Sequence, residues 1–501
     1  MKNNVYNIYM EKNKLLNNII KFIEKNGLEL RQITDDEYEV YKNEDHMFLT
    51  LIEREMEIRS FSIPNEVEKG TTVFVKKNTE SNGLKLKMFL DKIKFLSQTY
   101  SDNQIKAILR DMPLLTWYSQ KKEVDLSNVA IIWRDHFLEE NIGLLLAFNE
   151  VGVASHNIMA LDKGDLTQHR GEITATFVNL GYEVDVFDNA YLTDYNYVNR
   201  ITKKIQEFIL KRDKMKVIII DDGAIVSNIL TKGIYNNVVA VIELTEMGLR
   251  RMQNVELKVP VFNIAKTRLK RAITYPEVAN SIFIRIIELL GSEKLVGRTI
   301  LLCGYGDMGE IIAERFRNYG ANVVIYDKDI FRLIIAAERG FMTFRDPIYA
   351  VKNSNPFLVI GASGEKSITT KMIENLKDNA YVTAGATADL AVFREYDLDN
   401  KVDKRRKSKY ATQYWINGKK VTMLGNGRSI NLFNSEAIPN MSNDIFKTAA
   451  LLTVCQIINH EFEIRSLKGI NLSLVDKWID ESGVYDEYYS RYYDIGEKIA
   501  F

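Results

Sequence analysis

The chain has 501 residues, is 46% hydrophobic and 27% charged, and balances 67 Lys plus Arg against 67 Asp plus Glu. Those proportions describe a globular protein of two or more domains, and a net charge of zero argues against a general nucleic-acid or anionic-membrane binder. With Cys303 and Cys455 as the only cysteines, neither a disulfide framework nor a zinc cluster is expected, and no metal is assigned.

The opening segment MKNNVYNIYMEKNK is polar and lacks the apolar stretch of a signal peptide. No run of about 18 apolar residues predicts a membrane span, so a reducing, cytoplasmic setting is expected. Residues 7–26 carry apolar positions at helical spacing, and 37–61 read as short alternating strands, with Tyr38, Val40, Phe48, Leu49 and Ile52 among their apolar positions. Residues 1–100 are therefore expected to form a small α+β module, whose role the sequence leaves unread. From about 105 the pattern becomes strand, helix, strand, helix. VAIIW (129–133), KVIII (216–220) and VVAVI (238–242) are continuous apolar runs, the mark of parallel strands covered on both faces. A helix is expected from near His136 to Val151, capped by Gly152. Ligands of such sheets lie at the carboxyl ends of strands, which singles out Asp222 and the segment after Ile242.

The most specific pattern comes next. RTILLC (298–303) predicts a strand, Gly304-Tyr305-Gly306-Asp307-Met308-Gly309 a loop, IIAERFRNYG (311–320) an amphipathic helix, and NVVIY (322–326) a second strand closed by Asp327. In a dinucleotide-binding unit the first glycine permits the tight turn, the second lets the backbone approach the pyrophosphate, and the third allows close helix–strand packing. The helix N-terminus offers free N–H groups to phosphate. A carboxylate about 20 residues on binds the ribose hydroxyls. Asp327 would repel a 2′-phosphate, so NAD is the expected cofactor, and nearby Arg332 reads as a solvated helix residue.

The stretch VGRTILLCGYGDMGEIIAERFRNYGANVVIYDKD resembles the NAD domain of the S-adenosylhomocysteine hydrolase family, with its GYGDVGKG loop. Other segments follow in the family's order. They are Asp111-Met112-Pro113, VIIIDDG (217–223), KVPVFNIAKTRLK (258–270), and KVTMLGNGRSINL (420–432) with Pro439 and Met441-Ser442-Asn443. The resemblance spans roughly 105–455. It implies an α/β fold with a Rossmann-like NAD-binding domain at 276–432 and a discontinuous α/β substrate domain at 101–275 that is rejoined at 433–465. Residues 466–501 form a tail in which Trp478, Tyr488, Tyr489, Tyr492 and Tyr493 are expected to pack a terminal helix.

The resemblance also implies chemistry. In the family, NAD oxidises a ribose 3′-hydroxyl, homocysteine is eliminated from C5′, water adds, and NADH restores the hydroxyl, a step of the S-adenosylmethionine cycle. Lys270 matches the lysine at the 3′-hydroxyl, Asp222 and His136 match groups near C4′ and the leaving sulfur, and Glu140 matches an adenine contact. Thr245 and Asn431 match residues on the NAD side. His136 and Glu140, four apart, would share a helix face. The implied partner is a small nucleoside substrate, in a homo-oligomer. Several family positions differ: Leu244 stands for a glutamate, Glu246 and Met247 for two threonines, Thr274-Tyr275 for an Asp-Asn pair, Ala279 for a cysteine, Thr387-Ala388 for His-Phe, and Ile438 for a histidine. The proton-transfer candidates are thus kept while sugar recognition is altered. Three readings stay open: an enzyme on S-adenosylhomocysteine or a related thioether, a non-catalytic NAD- and nucleoside-binding regulator, and a 2-hydroxyacid-type dehydrogenase.

Overall fold

The structure is a computed structural model that describes residues 4–57, 67–77, 84–233, 235–253, 255–393, 402, 404–464, 466–467, 469–471 and 473–494. Three sheets organise it. The first is antiparallel, in the order Asn4–Ile8, Val67–Lys77, Asp45–Glu57, Glu37–Lys42, Glu29–Gln32. Helices Lys12–Asn26 and Leu84–Gln98 bury Leu15, Ile19, Ile23, Phe89 and Ile93 against it. The helical spacing over 7–26 resolves into a strand followed by a helix, and 58–61 of the expected strands lie outside the described residues. This first sheet joins the next through Ser101, whose hydroxyl donates to Glu68 at 2.6 Å, and through the N–H of Tyr100, which donates to Thr176 at 2.9 Å.

The second sheet is entirely parallel, in the order Ile470–Asn471, Val261–Asn263, Val238–Glu243, Lys216–Asp221, Val129–Asp135, Ile158–Asp162, Glu183–Val186. All seven residues of Val129–Asp135 are buried, as the continuous apolar pattern requires of a strand covered on both faces. Two clusters pack its faces, one around Trp133, Phe137, Phe148 and Phe177, the other around Ile205, Phe208 and Ile219. The third sheet runs Met342–Phe344, Asn322–Tyr326, Thr299–Cys303, Leu358–Gly361, Ala380–Ala384, Lys419–Leu424 in parallel, and Ala411–Ile416 and Lys404–Lys407 extend it antiparallel.

The chain passes from the second sheet to the third through helix Tyr275–Leu290 and returns through helix Asn440–Asn459. The returning helix is buried along 15 of its 20 positions, because it threads the cluster around Phe148. Asp444 fixes its register. Its two carboxylate oxygens accept the N–H groups of Leu114 (2.7 Å) and Leu115 (2.8 Å) at the start of helix Pro113–Gln120, and the Tyr492 hydroxyl at 2.8 Å. Burial raises the Asp444 carboxyl to about 6 even against those donors. The aromatic tail packs in part: Trp478 and Tyr488 are buried, with Trp478 5.2 Å from Phe262 and Tyr488 tilted 4.8 Å from Tyr492, while Tyr489 and Tyr493 are exposed. Among the described residues, no helix is long and apolar enough to cross a membrane.

Asp444→Ala strands two helix-start N–H groups and the Tyr492 hydroxyl in the core. It should lower unfolding free energy by about 1–3 kcal/mol, read as a lower urea midpoint. An unchanged midpoint would show that the helix start does not depend on this carboxylate.

Candidate active site

A parallel sheet presents the carboxyl ends of its strands at one edge, and here that edge is charged. Asp135 ends one strand and His136 follows it. Asp162 ends the next and Lys163 follows. Asp221 ends a third and Asp222 follows, while Glu243 ends the strand beside it. All but His136 are buried. Burying charges costs several kcal/mol each unless they are paired, and the pairing is specific. Lys163 Nζ lies 2.7 Å from Asp222 Oδ1 and 3.2 Å from His136 Nε2. His136 Nδ1 is 2.8 Å from Asp165 Oδ2. Lys447 Nζ, from the returning helix, lies 3.1 Å from Asp135 Oδ2 and 3.8 Å from Glu140 Oε1. Arg134 ties the floor together, donating to the Asp222 carbonyl at 2.6 Å and the Phe187 carbonyl at 2.9 Å.

Glu243 acts as scaffold. It accepts the N–H groups of Gly223 (3.0 Å), Ala224 (2.9 Å) and Thr245 (2.8 Å), together with the Thr245 hydroxyl at 2.7 Å. The turn carrying Asp222 is thereby fixed to the start of helix Glu246–Met252, which Thr245 caps by accepting from Gly248 at 3.1 Å. The ionisation states follow from these contacts. Burial would raise Asp222, but the charged groups around it, the Lys163 ammonium first, outweigh it and hold the carboxyl far below its ordinary range. Asp165, likewise buried, is brought to about 2, chiefly by His136. Burial drives Glu140 up to about 8 against the opposing pull of Lys447.

Lys270 stands in a π-helical turn, Lys270–Thr274, with its amine 3.5 Å from the centre of the Phe446 ring. It rests on an aromatic face instead of a carboxylate. Burial, and then repulsion from Lys447, lower it to about 8.

On the other side of the cleft, Gly304 has a φ of +110°, and a Cβ there would sit 2.8 Å from the Ala362 carbonyl carbon. A Cβ on Gly309 would meet the Gly304 carbonyl oxygen at 2.1 Å, so the close packing ascribed to the third glycine is present. A Cβ on Gly306 would meet nothing within 4 Å, because it faces the cleft. Helix Asp307–Asn318 begins at Gly306 without a side-chain cap, four residues before the expected start. Asp327 accepts the Tyr305 N–H at 2.6 Å and the Asp329 N–H at 2.8 Å. An uncapped helix start, an open glycine and a carboxylate at the next strand end suit a pyrophosphate and a ribose. Asp307 itself accepts from Arg271 at 2.7 Å.

One cavity of about 720 Å³ joins the two sides. It is lined by His136, Glu140, Asp222, Thr245, Lys270, Gly304, Gly306, Asp307, Met308, Asp327 and Asn431 together, while Gly309 lies beneath the loop. Arg332 also faces it, 3.8 Å from Asp307, instead of being merely solvated.

Two comparisons bear on this arrangement. The family model "S-adenosyl-L-homocysteine hydrolase, NAD binding domain" matches residues 287–437. The S-inosyl-L-homocysteine hydrolase of Methanopyrus kandleri is 27% identical over 252 residues, 47% of this chain and 58% of that one. The adenosylhomocysteinase of Aeropyrum pernix is 30% identical over 166 residues, 32% of this chain and 39% of that one. The adenosylhomocysteinase of Aquifex aeolicus is 23% identical over 367 residues, 71% of this chain and 84% of that one. The chain resembles the S-adenosylhomocysteine hydrolase family, and residues 287–437 match that family's NAD-binding domain. Its cofactor is NAD, held by the Rossmann-like half. The match spans less than two thirds of the first two relatives.

The helix after His136 departs from the sequence expectation as well. Helix Glu139–Glu150 begins after His136, so His136 and Glu140 do not share a helical turn. They meet the cavity separately, His136 from the strand-end loop and Glu140 from the first turn. Asp135, Lys163, Asp165 and Lys447 were not singled out from sequence. Asp135 could have been found by adjacency to His136, and Lys447 by its place four residues after Met441-Ser442-Asn443. Asp135, His136 and Asp222 could together meet a metal ion, yet Lys163 and Lys447 already hold their carboxylates.

Gly306→Ala should leave the melting temperature unchanged and weaken NAD binding by more than about tenfold, or about 1.4 kcal/mol, because only the ligand occupies that space. Gly309→Ala should instead destabilise the fold by about 1–3 kcal/mol through overpacking. Calorimetry with NAD and thermal melts of both variants separate the two effects.

Proposed function

We propose that the chain is an NAD-dependent hydrolase of nucleoside thioethers, acting on S-adenosylhomocysteine or a close analogue by oxidation, elimination and hydration. The observation that carries this is the meeting of Lys270, Asp222 and His136 with the NAD loop in one cavity. The named activities of the relatives support the substrate class, since they differ in nucleobase and share the homocysteine thioether. Under this reading residues 101–275 and 433–465 hold the nucleoside, and 276–432 hold NAD.

Bound NAD would supply reversible hydride acceptance at a sugar hydroxyl. The chain's own groups do the rest. Lys270, with its amine brought to about 8, has a neutral fraction at neutral pH and takes the hydroxyl proton as general base. His136 and Asp222, which line the same cavity, would act at the neighbouring carbon and the leaving sulfur. Leu244 is buried where the family places a glutamate, so sugar hydroxyls meet one carboxylate fewer on that side, while the buried Thr274 hydroxyl there has no hydrogen-bond partner of its own. Glu140 keeps one carboxyl oxygen buried without a hydrogen-bond partner, 3.1 Å from Asn443 through the other. That oxygen is available to a purine.

The test is thiol release from S-adenosylhomocysteine in the presence of NAD, followed with a thiol reagent. Release that is lost in Lys270→Ala, together with reduction of bound NAD, is the expected result. NAD binding with no release and no reduction would favour the regulatory, non-catalytic reading. Net accumulation of NADH without thiol would favour a dehydrogenase.

The pH dependence has a fixed sign. A general base must be deprotonated, so reduction of bound NAD should rise with pH through about 8 and level off above it. Stopped-flow absorbance of reduced nicotinamide reads this directly. A rate that is flat from pH 6 to pH 10, or that falls through 8, would remove Lys270 from the role.

A further inference from the structure

The mechanism above leaves Lys163 unused, although both its main chain and its side chain are held in the cleft. Its backbone N–H donates to the Asp135 carbonyl at 3.2 Å, which pins it to the strand carrying His136. The next residue, Gly164, has a φ of +86°, and a Cβ there would lie 2.1 Å from the Asp188 carboxyl carbon, so the turn admits no other residue without rearrangement. The side chain is held as tightly, with the amine 2.7 Å from Asp222 Oδ1 and 3.2 Å from His136 Nε2.

An ammonium 3.2 Å from an imidazole nitrogen demands a lone pair on that nitrogen. A proton on both atoms would set donor against donor. The Lys163 ammonium donates to Asp222 Oδ1 at 2.7 Å, so Nε2 is its second acceptor and the ring proton belongs on Nδ1, where Asp165 Oδ2 is 2.8 Å away. The four groups thus run Asp165, His136, Lys163, Asp222, and the two ends of the Lys163 contact, His136 and Asp222, both face the cavity. Asp222 Oδ2, left free by Lys163, lies 3.7 Å from His136 Nε2. Without Lys163 those two atoms would be the natural donor–acceptor pair, and the ring would carry its proton on the opposite nitrogen.

We propose that Lys163 is a positioning residue for proton transfer in this cleft: by donating to Asp222 and to His136 Nε2 at once, it keeps Asp222 ionised and fixes the His136 ring proton on Nδ1. Its kinetic consequence rests on the hydrolase reading above. The tautomer does not.

A counter-ion that merely neutralised Asp222 would give the same stability and a different signature. The first test is nitrogen-15 NMR of the histidine side chains in the full-length protein without substrate, with His136 assigned by its loss in His136→Asn. The wild-type neutral ring should be protonated on Nδ1, and Lys163→Met should move the proton to Nε2 as the ring turns to Asp222. Lys163→Arg retains a charged donor and should retain the Nδ1 tautomer. A wild-type ring protonated on Nε2, or a tautomer unchanged in Lys163→Met, overturns the proposal. If the Met variant does not fold, the wild-type tautomer and the Arg variant decide.

The second test uses thiol release. General acid–base groups contribute about 10²–10⁴-fold, so Lys163→Met should lower kcat by about a hundredfold with KM nearly unchanged, and Lys163→Arg should recover part of it. A change confined to KM would overturn the positioning role. If wild-type protein releases no thiol while the tautomer follows Lys163, the hydrolase reading fails and the placement stands.

Discussion

Charge burial at one edge of a parallel sheet is the constraint on which this structure rests. Four neighbouring strands end in Asp135, Asp162, Asp221 and Glu243, and the chain folds so that none of these carboxyls is left to face an apolar core alone. Asp162 pairs with Arg170, Asp135 with Lys447, and Asp222 with Lys163. Asp221 accepts from Ser227 through both its N–H (2.9 Å) and its hydroxyl (2.8 Å), and Glu243 is wrapped by three backbone N–H groups. Breaking one member of such a buried pair costs about 3–5 kcal/mol, so the set is held as a rigid frame. The groups left outside the frame are the informative ones. Lys270 sits against an aromatic ring, and Glu140 keeps an unused oxygen. Those are the polar atoms free to meet a ligand.

The same economy couples the two halves of the cleft. The chain returns from the third sheet through residues 433–439, and Glu436 in that return accepts the Glu139 N–H at 3.2 Å and the His169 N–H at 3.0 Å. Those donors open the helices that follow His136 and Lys163, so the returning segment is moored beside the catalytic candidates. His169 supports the mooring. Burial would lower its ring, but Glu139 and Glu436, 3.3 and 3.4 Å away, raise it to about 10 and keep it charged at neutral pH. Tyr100 donates to Glu139 at 2.6 Å, which brings the first sheet's side of the molecule into contact with the same network.

What the sequence made legible divides along the range of the interactions. The dinucleotide loop was readable because each glycine answers a local backbone need, within six residues and one turn. The parallel strands were readable because burial on both faces leaves an unbroken apolar run. The start of helix Glu139–Glu150 was not, since its cap position is Leu138 with no side-chain hydrogen bond, and nothing in the sequence marks the boundary. His136 was therefore placed on a helix it precedes. Lys163 and Lys447 were hidden for a different reason. Their partners lie 59 and 312 residues away, and a lysine in isolation reads as a solvated surface charge. Resemblance to a family showed which polar residues had gone, and it could not show which buried cations had come.

Those two observations meet at Lys270. A carboxylate beside a lysine stabilises its ammonium form and raises its pKa. The family's Asp-Asn pair downstream of this lysine is Thr274-Tyr275 here, and Tyr275 turns its hydroxyl to the Ala265 carbonyl at 3.2 Å. With no carboxylate beside it, burial and then the Lys447 ammonium outweigh the opposing pull of Asp135, Asp222 and Glu140, and the amine falls to about 8. A lysine that can lose its proton near neutrality is what a base at a sugar hydroxyl requires. Under the proposed reading, the substitutions that look like losses in the sequence leave Lys270 as a base tuned by desolvation and by repulsion from Lys447, while the paired charges lie farther along the sheet edge.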